Sequence, residues 1–248
     1  MMRSHAKIAY EDAQAAVDGI VDRVPVGIID NVLRPLWTAY AALKTARDRR
    51  QPLDLDLPER KILLNAVGRV DRVIVPERLD AHRLIEEFMI QANVAAAETL
   101  EQHKQVLIYR AHDAPSLSRL ETLRDFLRTL DLPLAKTGVL RPSHFNGILN
   151  AVRGTDNESL VNEVVLRSQS QAAYSPQNIG HFGLNLARYA HFTSPIRRYA
   201  DLVVHRALVA ALGLGQGGLS RDEEAALEET AEAISVAERR AMAAERDT

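Results

Sequence analysis

Apolar positions along the chain follow two periods, one close to three and a half residues and one of two. Residues 10–18 read as a short helix that stops at Gly19, followed by a Val/Pro/Gly linker. From Asp30 to about Arg50, Val32, Leu33, Leu36, Trp37, Tyr40 and Leu43 form a helical stripe, with Asp30 in the N-cap role. Leu53, Leu55 and Leu57 alternate with Asp54 and Asp56, the pattern of a half-buried strand. Ile62–Leu64 and Val70–Val75, joined across residues 65–68, read as a β-hairpin.

Asp80 then caps a long helix reaching Gln102, whose core face is Leu84, Phe88, Ala92 and Ala95 or Ala96. Val106–Tyr109 reads as a short strand. Pro115 and Ser116 open a helix with Leu120, Leu123, Phe126, Leu127 and Leu130 on one face. Two more helices follow near 142–152 and 157–170, and Phe182–Leu186 reads as a strand. Ser194 and Pro195 open a helix to about Leu212, a Gly-rich loop covers 213–218, and 221–247 is a final helix. The class this predicts is α+β, helix-rich, with short antiparallel strands. The final helix runs out without a glycine cap, and Glu245 and Asp247 oppose its dipole. The opening residues likewise lack a cap. The expectation is a chain that once continued at both ends.

Composition narrows this picture. With 248 residues, 46% hydrophobic and 26% charged, the chain has the make-up of an ordinary globular protein. Its apolar stretches are too short to cross a bilayer, and no apolar segment follows the basic residues at the start. The absence of cysteine excludes disulfides and thiolate metal sites and fits a cytoplasmic setting. A net charge of −2 argues against a free-standing nucleic-acid binder. The distribution argues the other way: between His181 and Arg206 there are four arginines, three histidines and one acid, Asp201.

Within that basic stretch, Ser194 as N-cap and Pro195 at the first helical position would leave the amides of the first turn free to attract an anion. Arg197 and Arg198 lie in the same turn, and Asp201, four residues after Arg197, could fix its guanidinium. His191 and Phe192, just ahead of the cap, could line a cleft. The combination suits a phosphate. It also describes an ordinary helix start with a surface ion pair.

The segment His191–Leu202, HFTSPIRRYADL, preceded by YSPQNIGHFGL from Tyr174, resembles the signature of the ribonuclease II and ribonuclease R family. Leu79–Ala97 looks like the family's long helix, Tyr109–Pro115 like the strand and turn after it, and Val236–Asp247 like the helix that ends the catalytic domain. The resemblance covers essentially the whole chain in the family's order. It implies the helix-rich C-terminal portion of an RNB-type catalytic domain over 1–248. The implied activity is 3′→5′ hydrolysis of single-stranded RNA to nucleoside 5′-monophosphates. The implied role of Arg197 is to hold the scissile phosphate, with Arg198 and Ser194 beside it. Tyr10 and Glu86 match residues associated with ribose recognition. Tyr10 could equally serve packing, and Glu86 a solvated helix face.

Two departures qualify these expectations. The family clamps terminal bases between aromatic rings, one aligned with residues 53–57, where this chain has Leu55 or Leu57. The family's Mg²⁺ is held by clustered aspartates upstream of the matched region. The substitutes here are Asp54 with Asp56, His112 with Asp113, and Glu86 with Glu87, and none supplies the converging carboxylates a two-metal site needs. The metal-binding part, the cold-shock domains and the S1 domain are therefore expected to be absent, and the chain to be inactive alone. The alternative is a non-catalytic RNA-binding or scaffold remnant of such an enzyme.

Overall fold

The computed structural model describes residues 4–20, 22–57, 60–134 and 140–246. It divides into two compact units, one drawn from residues 1–49 and 56–90, the other from 50–55 and 91–248.

In the first unit, α1 (Tyr10–Val17) is followed by a continuous helical run. The run comprises α2 (Val26–Ile28), a π-helical turn (Ile29–Leu33) and α3 (Arg34–Arg50). Ala16, Val24, Ile29 and Leu33 form its buried core, with Trp37 against them. Asp30 is therefore not a cap. The helix opens earlier, after Pro25, whose ring suits a helix entrance, and Asp30 pairs with Arg34 at 2.9 Å inside it. The start of α4 (Asp80–Gln102) is tied to this group by polar contacts. Tyr40 donates to Asp80 (3.3 Å), Gln14 accepts from the Ala81 amide (3.0 Å), and Arg47 pairs with the buried Glu87 (3.3 Å).

The hairpin forms where the two short apolar runs flank residues 65–68, from β1 (Lys61–Leu64) and β2 (Val70–Ile74). Asn65 accepts from the amides of Val67 and Arg69, and Gly68 supplies the positive φ of the turn. Ile62 faces Val73 and Leu64 faces Val70, so the four share one side of the hairpin, and each is more than half exposed.

In the second unit, α5 (Leu117–Arg128), α6 (Pro142–Val152) and α7 (Glu158–Ser168) enclose a core of leucine, isoleucine, valine and Phe145. Ser116 caps α5 as expected, accepting from the Arg119 amide. Leu53 and Leu55 pack against this core, but residues 53–57 form no strand. The segment is clamped by a side chain instead: Asn146 accepts from the Asp54 amide (2.9 Å) and donates to the Pro52 carbonyl (2.8 Å). A second core joins Ala96, Ala97 and Leu100 of α4 to Val204 and Ala207 of α8 (Tyr199–Leu212). A third sets Ile108, Tyr174 and Val203 against Leu227 and Ala231.

Here β3 (Tyr109–Ala111) pairs antiparallel with β4 (Ala173–Ser175). The expected strand at 106–109 thus starts at its last residue, and β4 has too few residues to show a period. Residues 182–186 are a tight turn rather than a strand, closed by the His181 amide on the Leu186 carbonyl (2.8 Å) with Asn185 at φ 52. The predicted final helix is two, α9 (Arg221–Ala225) and α10 (Leu227–Arg246); Asp247 lies outside the described residues. The expected face of α4 holds in part: Leu84 and Ala96 are buried and Phe88 and Ala92 half-buried, with Ala95 exposed, while the polar Glu87 and Asn93 are also buried, each with a partner. No helix among the described residues is long and apolar enough to cross a membrane.

Candidate functional site

The segment from Tyr189 to Arg198 carries the clearest local design. It enters as irregular backbone, makes one turn and then becomes α8. The helix begins at Tyr199, with Arg198 as N-cap, and not at Pro195. Residues 194–198 form a separate turn in which the amides of Arg197 and Arg198 both donate to the Ser194 carbonyl (3.3 and 3.1 Å). Ser194 is therefore not a helix cap. Its own amide donates to Asp201 Oδ1 (2.7 Å). Of the first-turn amides expected to meet an anion, those of Arg197 and Arg198 are thus taken within the protein.

The two arginines are also sorted differently from the i,i+4 expectation. Asp201, fully buried, takes Arg198 through Nε (2.8 Å) and Nη2 (2.9 Å), a bidentate pair at i,i+3. A helix that starts at Tyr199 leaves Arg197 outside it, too far round the turn to reach that carboxylate. The Arg197 side chain is exposed, its guanidinium has no ion-pair or hydrogen-bond partner among the described residues, and its neighbour Ile196 stands fully in solvent. One guanidinium is paired within the fold and the other is exposed.

Two further side chains hold the approach to this turn. Asn93 of α4 accepts from the amides of Phe192 (2.9 Å) and Thr193 (3.2 Å). His205 of α8 donates from Nε2 to the Phe192 carbonyl (2.9 Å) and stacks on its ring at 4.3 Å. Behind the turn runs a ladder of rings. His112 meets His181 at 4.9 Å, His181 meets Tyr189 at 5.3 Å, Tyr189 meets His191 at 5.6 Å, and His191 meets Tyr174 at 5.6 Å. Arg110 lies over the Tyr174 ring and pairs with Glu238 at 2.6 Å. Burial pushes His181 down to about 3, with repulsion from His112 and Arg110 adding to it. Burial likewise pushes His191 down to about 3, reinforced by Arg198 and Arg110. Both rings are neutral near pH 7, and His191 Nδ1 is engaged with the Tyr174 hydroxyl at 2.8 Å. His191 thus has one ring nitrogen engaged within this unit.

Tyr10 and Glu86 belong to the first unit. Tyr10 stacks on His82 at 4.3 Å, and Glu86 lies one helical turn further along α4, ion-paired with Arg78. The structure therefore gathers these two around one stretch of α4. The acid pairs considered for metal are separated by their partners. Glu87 goes to Arg47, Glu86 to Arg78, and Asp54 lies 4.0 Å from Arg153. His112 donates from Nε2 to the Ser170 carbonyl and accepts the Gly183 amide at Nδ1, while Asp113 accepts the Ala114 amide. Among the described residues, no group of three or more His, Cys, Asp or Glu could hold a metal ion. The residues present do not fit a Mg²⁺ centre.

Comparison with known proteins accounts for this arrangement. The model of the RNB domain matches residues 1–213, and the chain belongs to the RNB domain family. Within that family it is similar to ribonuclease R. It is 37% identical to the Escherichia coli protein over 256 aligned residues, covering 100% of this chain and 32% of that one. It is 38% identical to the Vibrio parahaemolyticus protein over 218 residues, covering 88% of this chain and 26% of that one. Among solved structures, Mycoplasma genitalium RNase R in complex with ribose methylated single-stranded RNA superposes with a TM-score of 0.86 at 25% identity, covering 96% of this chain and 38% of that one. The chain spans between a quarter and a third of the length of these curated relatives.

Sequence reading missed Asn93, His205 and the true partner of Asp201. Asn93 did leave a signal: an amide side chain between Ile90 and Ala97, on a helix face otherwise given to the core.

Proposed function

We propose that this chain contributes the phosphate-holding, RNA-contacting portion of a hydrolytic 3′→5′ exoribonuclease acting on single-stranded RNA in the cytoplasm. The observation that carries the reading is Arg197: an exposed guanidinium with no partner among the described residues, on a turn fixed from two helices and beside a second arginine neutralised by a buried carboxylate. A guanidinium fork matches phosphoryl oxygens and can stabilise the charge that grows on them during hydrolysis. The similarity to ribonuclease R supports the assignment, and the exposed Tyr10 of α1 and Glu86 of α4 suit contacts to ribose, a carboxylate being a good acceptor for a 2′-hydroxyl.

In this reading the Mg²⁺ ligands come from residues other than those described here, and the purified chain binds RNA without degrading it. A second reading is a non-catalytic RNA-binding or scaffold piece, since among the described residues no group of three or more His, Cys, Asp or Glu could hold a metal ion. One experiment separates them. The chain is incubated with 5′-labelled single-stranded RNA and Mg²⁺, alone and with a co-expressed upstream segment of a ribonuclease R that carries the aspartate cluster. The expected result is no trimming alone, and a Mg²⁺-dependent ladder with the segment that Arg197→Ala abolishes. A soluble complex that never trims RNA would leave only the scaffold reading. Trimming by the chain alone, removed by EDTA, would overturn the proposed division of the site.

A further inference from the structure

We infer that Asn93 is the positioning residue through which α4 sets the RNA-contacting turn, an inference that rests on the phosphate-holding reading of Arg197. Asn93 is 2% exposed, in a helix whose neighbouring buried positions are Ile90, Ala96, Ala97 and Leu100. Burying a carboxamide among such residues is unfavourable unless its hydrogen bonds are made, and asparagine is also a weak helix former. Its bonds are made, and all point one way. The carbonyl oxygen uses both lone pairs on consecutive amides, Phe192 at 2.9 Å and Thr193 at 3.2 Å, and the amide nitrogen donates to the Tyr189 hydroxyl at 2.8 Å.

The next amide along, Ser194, is taken by Asp201, so three successive N–H groups are accepted by side chains from two different helices. No regular element supplies these bonds, because the backbone here is neither helix nor strand. Asp201 fixes the exit of the turn through Ser194 and Arg198, and Asn93 fixes its entrance. Arg197 itself touches neither. Its direction follows from the peptide planes on either side, and two of those anchors belong to Asn93.

The site already assigns phosphate contact to Arg197. Asn93 adds a residue that meets no RNA and yet sets affinity. The test is fluorescence anisotropy of the purified chain with a labelled single-stranded oligoribonucleotide over a series of salt concentrations, with thermal melting alongside. Arg197→Ala is expected to weaken binding about tenfold, as for one charge-assisted hydrogen bond. It should also flatten the slope of log K against log salt by roughly 0.7, as for one lost phosphate contact on a single strand. Asn93→Leu, close in volume, is expected to reproduce both changes and to add nothing in combination with Arg197→Ala. Tyr189→Phe removes only the hydroxyl partner, so it is expected to melt lower while keeping the wild-type slope. If Asn93→Leu is insoluble, Asn93→Ser, too short to span both amides, takes the same reading. Should Arg197→Ala flatten the slope while the Asn93 variants keep it, the positioning role is wrong and the phosphate reading stands. An unchanged slope in Arg197→Ala, or no RNA binding by the unmodified chain, would overturn both.

Discussion

At the scale of single residues, the second unit spends much of its polar capacity on holding one segment. Asp201 is fully buried and its charge is met by Arg198. Removing one member of such a pair leaves an uncompensated charge in a dry place, which costs about 3–5 kcal/mol. Arg198→Ala is therefore expected to lower unfolding stability by about 3 kcal/mol in urea titration, whereas the exposed Arg197→Ala should lie within about 0.5 kcal/mol of wild type. Equal effects would mean that the two arginines are not divided as described. The buried histidines give a second expectation. His181 and His191 are held down to about 3, against roughly 6.5 in an unfolded chain. Above pH 6.5 neither state is protonated and stability is level. Below it the unfolded chain takes up protons that the folded rings refuse, so stability falls as pH drops toward 3. At pH 5 each ring should cost about 2 kcal/mol. The urea midpoint should drop between pH 7.5 and 5, and His191→Gln should flatten that drop. An unaltered pH profile in the variant would show that His191 is not the titrating group.

At the scale of elements, the hairpin of β1 and β2 is the least supported piece. A two-stranded hairpin is marginal by itself, and this one shows Ile62, Leu64, Val70 and Val73 to solvent on one side. Exposed apolar strands are an association hazard. Ile62→Thr with Val73→Thr keeps β-propensity while removing apolar surface. The double variant is expected to stay soluble to higher concentration, by light scattering, with stability changed by less than about 0.5 kcal/mol. A large loss of stability would mean that this face is packed in solution. The hairpin was legible in the sequence because two short β-branched and leucine-rich runs on either side of a turn with Asn65 and Gly68 carry their own signal. So were α3, α4 and α5, whose stripes repeat over several turns. Residues 53–57 alternate just as well, yet the alternation serves packing of Leu53 and Leu55 under a side-chain clamp from Asn146, and the period of two cannot tell a clamped extended segment from a paired strand. The start of α8 was misread for a related reason. Ser-Pro is a good helix opening locally, but Asp201 competes for the Ser194 amide, and that contact is set by the tertiary fold.

At the scale of the whole molecule, the class α+β was legible from the balance of long helical stripes and short strands. Chain-wide charge, at −2, conceals the feature that matters. The basic segment His181–Arg206 is not a uniform cationic patch, because the fold removes Arg198 into a pair with Asp201 and Arg206 into a pair with Glu223, and leaves Arg197 exposed. Counting charges along the sequence located the region. Deciding which charge is available needed the partners, which lie several to many residues away and are brought in by turns and packing.

The anchored turn also has a thermodynamic consequence. Ordering backbone costs roughly 1–2 kcal/mol per residue in lost conformational entropy. Here that entropy is surrendered when the protein folds, since Asn93, Asp201 and His205 already fix residues 192–194 and Arg198. If Arg197 receives a phosphate, as proposed, only one side chain is left to immobilise and the ordering penalty of binding is small. The receptor is rigid before its ligand comes. On the proposed reading, a strand could be captured and released there without the turn being melted and rebuilt each time.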